Sequence, residues 1–393
     1  MSAFVADWLN LLIRWAHLIA GIGWIGTSFY FIALDLSLKK RERMREGVDG
    51  TAWEVHGGGF YHVERYTVAP KELPDDLIWY KWEAYLTWVT GFLLLLTQYY
   101  WHATAYLIDP RVLELAPAGA IGISIVSLIV GWFTYDGLCR SSLGKDPVWL
   151  AAAVFLLILT ASYLYSHVYS GRGALIHVGA FIGTIMAANV LGVIIPNQKR
   201  IVEALIKGQS TDPALGAKAK QRSLHNTYLT LPVLLMMVSN HYAFLTNHPH
   251  AWILVGLVLV MGACLRYFLV SFEVGEPLAK IGWTLPVIAV ALAVAMVMTM
   301  PRANRQVAGM KVSDARVTEI THKHCVTCHA SKTTHEAFPE APKGVMLESL
   351  QDLRRYAVLI EQQAVQSDAM PLGNETGMTA EERRELGAWL AAQ

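Results

Sequence analysis

The stretch His324-Cys325-Val326-Thr327-Cys328-His329 sets two thiols two residues apart, with an imidazole directly after the second. This is the C-x-x-C-H pattern that captures a haem covalently. The thiols reach the two vinyl groups of one macrocycle, and the adjacent histidine reaches the iron. A thioredoxin-like redox pair would need a strand–helix context, and half a zinc site would need a second ligand pair. Neither is present, so Cys325 and Cys328 read as the attachment of one haem c, with His329 as an iron ligand. The other axial ligand should be a Met or His further on. Met370, in Ser367-Asp368-Ala369-Met370-Pro371-Leu372-Gly373-Asn374, is favoured because this Pro/Gly-punctuated loop precedes a last helix opened by Thr379-x-x-Glu382. Met378 and Met346 are the alternatives, and His322, His324 and His335 read as surface residues.

The elements that must carry this motif are membrane helices. Of 393 residues, 54% are hydrophobic and 16% charged, too oily a balance for a soluble chain of this length. The net charge of +1 gives no footprint for a nucleic-acid partner. Cys139 and Cys264 sit alone in apolar sequence as small buried hydrophobes, so no disulfide framework is implied. Eight apolar stretches are long enough to span a lipid bilayer: Trp8–Leu34, Trp82–Trp101, Ala118–Tyr135, Val148–Ser166, Ala174–Ile195, Leu224–Leu245, Trp252–Ser271 and Trp283–Met300. The first has no basic leader and no small-residue cleavage site, so it reads as a retained helix.

Lys and Arg set the orientation. The connections 35–81, 136–147, 196–223 and 272–282 carry 17 of them, against 2 in 102–117, 167–173 and 246–251. The first group is therefore expected in the cytoplasm. Both termini then face the periplasm of a bacterial inner membrane, the side on which haem c is attached. The expected fold is all-α: an eight-helix transmembrane bundle over 1–300, a linker at 301–308 and a small class I-like cytochrome c domain over 309–393.

Four histidines mark the membrane part: His17, His102, His177 and His241. His17-Leu-Ile-Ala-Gly-Ile-Gly-Trp-Ile matches His177-Val-Gly-Ala-Phe-Ile-Gly-Thr-Ile, and His102 and His241 take matching places further on. This suggests two parallel four-helix repeats. Intramembrane histidines are costly, and these four are candidates either for b-type haem ligation or for interhelical hydrogen bonds, with His167 a weaker fifth. Asn189 is a further polar candidate, while Arg266 and Glu273 read as an ion pair or as snorkelling residues. The loop Val55-His56-Gly57-Gly58-Gly59-Phe60-Tyr61-His62-Val63-Glu64-Arg65-Tyr66 offers His56, His62 and Arg65 as substrate-side candidates that could hold a planar anion. The other reading is a tight turn at the membrane surface.

Taken together, three features resemble one family: the eight spans with Arg14-Trp15-Ala16-His17-Leu18-Ile19-Ala20-Gly21-Ile22-Gly23-Trp24-Ile25-Gly26, the Val55–Tyr61 loop, and the terminal Cys325-Val326-Thr327-Cys328-His329. This is the bacterial membrane-bound urate hydroxylases (cytochrome c urate oxidases), in which a urate oxidase N-terminal membrane domain is fused to cytochrome c. The resemblance implies oxidation of urate to 5-hydroxyisourate with water as the oxygen source. Electrons would pass through haem to a soluble cytochrome c or terminal oxidase without hydrogen peroxide. Urate is expected near the inner face or within the bundle. The first helix also resembles that of the membrane protoporphyrinogen oxidases, proposed to bind haem through the equivalent histidine, which supports His17 as a ligand. Two other classes fit the same architecture: a quinol or other dehydrogenase feeding haem c, and a non-enzymatic haem electron carrier or sensor.

Overall fold

The computed structural model describes residues 3–70, 73–74, 76–300, 310–336, 338–367 and 369–393. The expected linker at 301–308 lies outside the described residues. The chain is mostly helical. The first part contains α1 (Ala3–Ser37), α2 (Trp82–Leu94), α3 (Pro117–Arg140), α4 (Pro147–Ser166), α5 (Gly171–Asn189), α6 (Ile195–Ile206), α7 (Pro213–Val238), α8 (Ala251–Glu273) and α9 (Thr284–Thr299). Local chemistry sets several starts: Asp146, Ser170 and Asp212 accept backbone N–H groups of α4, α5 and α7 at their caps, and Pro147 and Pro213 occupy the first turn.

Each of the eight apolar stretches contains helix, but among the described residues five helices are long and apolar enough to cross a membrane. These are Phe4–Ser37, Pro117–Arg140, Pro147–Ser166, Gly171–Ile206 and Ala251–Glu273. The other three stretches differ from them for separate reasons. α2 gives way to a π-turn over Leu95–Tyr100, α7 begins in polar sequence with Lys218, Lys220 and Arg222, and α9 is 16 residues long. Two boundaries also move. α5 continues through a π-turn at Val190–Ile194 into α6, where a connection was expected, because residues 196–206 keep a helical amphipathic pattern. α7 stops at Val238 and turns through Ser239–His241 rather than reaching Leu245.

The expectation of an all-α chain is corrected by a β-hairpin of β1 (Val48–His56) and β2 (Gly59–Tyr66). Val48, Thr51, Trp53 and Val55 are the β-branched and aromatic types that favour a strand, and Trp53 and Val55 pair across the ladder with His62 and Phe60. Gly57 and Gly58 take positive φ (57° and 81°), which suits the two-residue turn closed by the pair His56↔Gly59.

α5 is the centre of the helical domain, with Leu175, Val178, Ile182 and Ile185 all at most 4% exposed. α3, α4 and α7 surround it. Contact with α3 is close at Gly131, where a Cβ would lie 2.0 Å from Cε2 of Phe181. By contrast α1 exposes Phe4, Trp8, Leu11, Trp15, Leu18 and Ile22, an apolar face suited to lipid tails.

The C-terminal domain contains α10 (Asp314–His324), α11 (Leu350–Arg355) and α12 (Ala380–Ala391). Val317, Ile320, Leu353, Leu386 and Trp389 form its core, and the Trp389 indole donates to Asp314 at 2.7 Å, tying its last helix to its first. This domain rests on the helical domain. At Gly373 (φ 58°) a Cβ would lie 3.1–3.4 Å from the carbonyl oxygens of Ile108, Thr104 and Ala105, and the Phe338 ring sits 6.3 Å from Tyr106.

Gly131→Ala should destabilise the helical domain by about 1–3 kcal/mol through overpacking. Gly183→Ala, with nothing within 4 Å, should not. Thermal midpoints of the two variants in detergent check this, and equal midpoints would contradict the packing described.

Candidate functional site

α10 ends at His324, and Cys325, Cys328 and His329 occupy the turn that follows, held by Cys328 and His329 amides bonded to the Cys325 carbonyl at 3.2 and 2.8 Å. Both thiols are free. Burial pushes the Cys325 thiol up to about 12 and raises Cys328 as well. A redox dithiol instead needs a depressed pKa, usually supplied by a helix N-terminus, whereas this pair follows a helix C-terminus. Among the described residues no three His, Cys, Asp or Glu side chains converge as a bare metal ion would require. The arrangement fits covalent attachment of a macrocycle.

The His329 ring is set for a ligand. Its Nδ1 donates to the Val345 carbonyl at 2.8 Å, which fixes the proton on Nδ1 and leaves Nε2 with its lone pair. Met370 packs against the same core that includes Cys325. Its amide donates to Gln363 O at 2.8 Å, and its carbonyl accepts from Arg383 at 2.6 Å. Met378 is enclosed in the core and Met346 is 41% exposed. The four residues Cys325, Cys328, His329 and Met370 would hold a haem c.

His324 departs from expectation. It is buried rather than on the surface, because as the last residue of α10 it turns inward between Thr376 Oγ1 (2.7 Å from Nδ1) and Glu382 Oε1 (3.2 Å from Nε2). Glu382 also closes the capping box with Thr379. Burial opposes ionisation of Glu382, but the Thr379 amide, Lys323 and His324 outweigh it and hold the carboxyl well below its usual range. His335 pairs with Glu375 at 2.8 Å.

In the helical domain His17 lies between α1 and α2. Its Nδ1 donates to Thr87 O at 3.0 Å, also 3.1 Å from Thr90 Oγ1, and Gly91 makes room for the ring. His177 is fully buried between α3 and α5. Its Nδ1 donates to Gly173 O (2.7 Å), so Nε2 accepts from Ser124 Oγ (2.7 Å), which in turn accepts from Tyr100 (2.6 Å). To ligate an iron, His177 would have to give up one of these buried bonds, at a cost of about 1–3 kcal/mol. His102 begins the turn after the π segment, and His241 is exposed after α7. The partners of His17 lie on α2 and those of His177 on α3 and α5, so these two do not share a partner. His167 bonds to Tyr163 O at 2.8 Å.

The hairpin separates its candidates. His62 lies over Trp53 at 4.4 Å, on the face opposite His56 and Arg65. His56 pairs with Gly59 and Arg65 with Gly50, roughly 20 Å apart along the ladder. Arg65 is taken by Asp49 and by Asp35.

A model of the urate oxidase N-terminal family matches residues 3–300. The chain belongs to this family. No curated protein and no solved structure matches it. The match ends with α9, and the C-x-x-C-H turn lies beyond it.

Within the family domain the structure gathers a polar cluster that the sequence reading missed, apart from Asn189. Asn189 donates to Tyr135 (3.0 Å) and Asn226 (2.9 Å), Tyr135 donates to His225 Nδ1 (2.7 Å), and Arg222 pairs with Asp136 (2.7 Å). Arg222 had counted only towards orientation. The spacing of Arg222, His225 and Asn226 on one helix face was the available signal. Arg266 does not pair with Glu273 among the described residues; its guanidinium lies 3.5 Å from the Phe29 ring centre.

The depressed Glu382 carboxyl implies a pH dependence. Its stabilisation is complete above the ordinary carboxylate value of 4.5 and is lost as pH falls through the lower folded value. Glu382→Gln should therefore lower the thermal midpoint of the C-terminal domain at pH 7. The gap from wild type should narrow as pH drops below 4.5, and a gap independent of pH would contradict this assignment.

Proposed function

We propose that this chain oxidises urate to 5-hydroxyisourate and delivers the electrons outward through its C-terminal domain. Urate monoanion and water give 5-hydroxyisourate, one proton and two electrons, so the oxygen comes from water and no peroxide forms. Family membership supports urate-related oxidation. The observation that carries the electron route is the seating of the C-terminal domain. The turn after Met370 rests on the carbonyls of Thr104, Ala105 and Ile108. Tyr106 lies within Coulombic range of Cys328, beside Phe338. Behind Tyr106 the rings of Tyr99 (6.1 Å from Tyr106) and His177 (6.2 Å from Tyr99) continue into the helical domain.

A haem c, if held by Cys325, Cys328, His329 and Met370, would supply a one-electron acceptor. The chain's own residues do the rest. Val345 orients the His329 ring, Arg383 and Gln363 hold the Met370 loop, and Gly373 brings that loop onto the helical domain. The seat is built from the connections poor in Lys and Arg. This supports a bundle of eight crossing helices with the cytochrome on the periplasmic side of a bacterial inner membrane, handing electrons to a soluble cytochrome c or terminal oxidase.

Anaerobic addition of urate to the purified protein should reduce the haem c absorbance, complete at about half a molar equivalent because urate gives two electrons. Isotope-labelled water should place its oxygen in the product. An unchanged spectrum with intact haem, or reduction by quinol and not by urate, would sink the proposal.

A further inference from the structure

A cavity of about 280 Å³, open on one side, lies where the two domains meet. Arg111, Ser170, Arg172 and Asn247 line it from the helical domain, and Leu372 and Gly373 close it from the loop after Met370. Among the described residues its charge is unbalanced. Arg111 is committed to Asp109 through Nε (3.1 Å) and Nη2 (2.8 Å). Arg172 has no hydrogen-bonded or ionic partner among the described residues, and its Nε is buried without one. Arg172 also sits in the first turn of α5, where the helix dipole disfavours a cation. Nothing in the fold gains from an unpaired arginine there, so the arrangement makes sense with an anion against it.

We infer that this cavity is the binding site for a planar oxopurine anion, with Arg172 as its anchoring residue. The planar fork of a guanidinium matches the delocalised charge along a purine's oxygen and nitrogen edge, as it matches a carboxylate. The volume is at the lower end for a ligand pocket and suits a compact bicycle rather than a nucleotide. The open side admits the water that the oxidation consumes. The loop that carries Met370 forms the cavity wall, so a purine bound here lies next to the electron outlet. The site lies at the helix ends joined by the connections poor in Lys and Arg, whereas the sequence reading expected urate near the inner face or within the bundle. It rests on the urate reading above for the identity of the purine and is tested separately from it. A propionate of the C-terminal domain's own haem could satisfy the same guanidinium.

The test is equilibrium dialysis of the full-length, haem-loaded protein in detergent against labelled xanthine, a planar oxopurine that stands in for urate. Wild type should bind saturably, and Arg172→Leu should bind about 10–100-fold more weakly, the loss of one charge-assisted contact. Arg172→Lys should fall between, and Arg200→Gln, exposed on α6, should bind like wild type. Equal binding by Arg172→Leu, loss of binding in Arg200→Gln, or no binding by wild type at millimolar xanthine each overturns the site. So does an altered haem spectrum in Arg172→Leu with xanthine binding intact, which would make the propionate the occupant. If xanthine binds through Arg172 while urate fails to reduce the haem, the site stands and the urate reaction falls.

Discussion

The contact of Gly373 with the carbonyls of Thr104, Ala105 and Ile108 governs how the two halves of this chain relate. A side chain there would press a Cβ to within 3.1–3.4 Å of three backbone oxygens, and the φ of 58° already favours glycine. Because the turn is bare, the loop that holds Met370 can lie directly on the helical domain. Phe338 meets Tyr106 in the same plane of contact, and the cavity beneath Arg172 is closed by the same residues. Moving the C-terminal domain outward by a methyl group would weaken all of these at once.

The helical domain spends its polar groups with care. In a bilayer a buried donor or acceptor without a partner costs several kcal/mol, so most are paired. Tyr100, Ser124, His177 and Gly173 form one directional chain of hydrogen bonds, and a second network branches at Asn189, which donates to Asn226 and to Tyr135, the latter donating on to His225. Each chain borders a π-turn. Leu95–Tyr100 carries Tyr99 and Tyr100 towards His177, and Val190–Ile194 follows Asn189 directly. Such turns add a residue to the helix and rotate its later side chains, a device common at functional sites. Among the described residues the unpaired atoms stand out against this economy: Ser162 Oγ, Arg172 Nε, Asn189 Oδ1, Arg222 Nη1, Asn240 Oδ1 and two nitrogens of Arg266.

How much of this was legible in sequence follows from the range of each interaction. The turn that gathers Cys325, Cys328 and His329 spans five residues and the Thr379–Glu382 capping box four, so both local arrangements could be read from the chain alone. Helix existence followed apolar runs, but helix ends did not. α6 and the first turns of α7 are amphipathic and polar, and hydropathy stops where water can take over the unsatisfied backbone. The tight turn at Gly57 and Gly58 was one of two readings of the loop, beside an anion grip, but the strands on either side of it went unread because Ala52 between Thr51 and Trp53 breaks the apolar–polar alternation that marks a strand. His324 looked like a surface residue because its partners, Thr376 and Glu382, lie more than fifty positions away. The pairing of Tyr135 with His225 and of Arg222 with Asp136 is equally remote in sequence.

Electrostatics connects the junction to the chemistry proposed for it. A urate anion loses negative charge as two electrons and a proton leave, so a site that favours the anion must also have somewhere for the electrons to go. Arg172 supplies the first condition at the rim of the helical domain. Its charge is not cancelled by Asp109, since that carboxylate already accepts both Nε and Nη2 of Arg111. The hydroxyls of Tyr99 and Tyr106 lie within Coulombic range of the same guanidinium, and Tyr106 in turn lies within range of Cys328. The anion-favouring group and the aromatic approach to the attachment turn are thus neighbours. An oxidised purine, having lost its charge, would lose its main hold on the cavity at the moment its electrons had left.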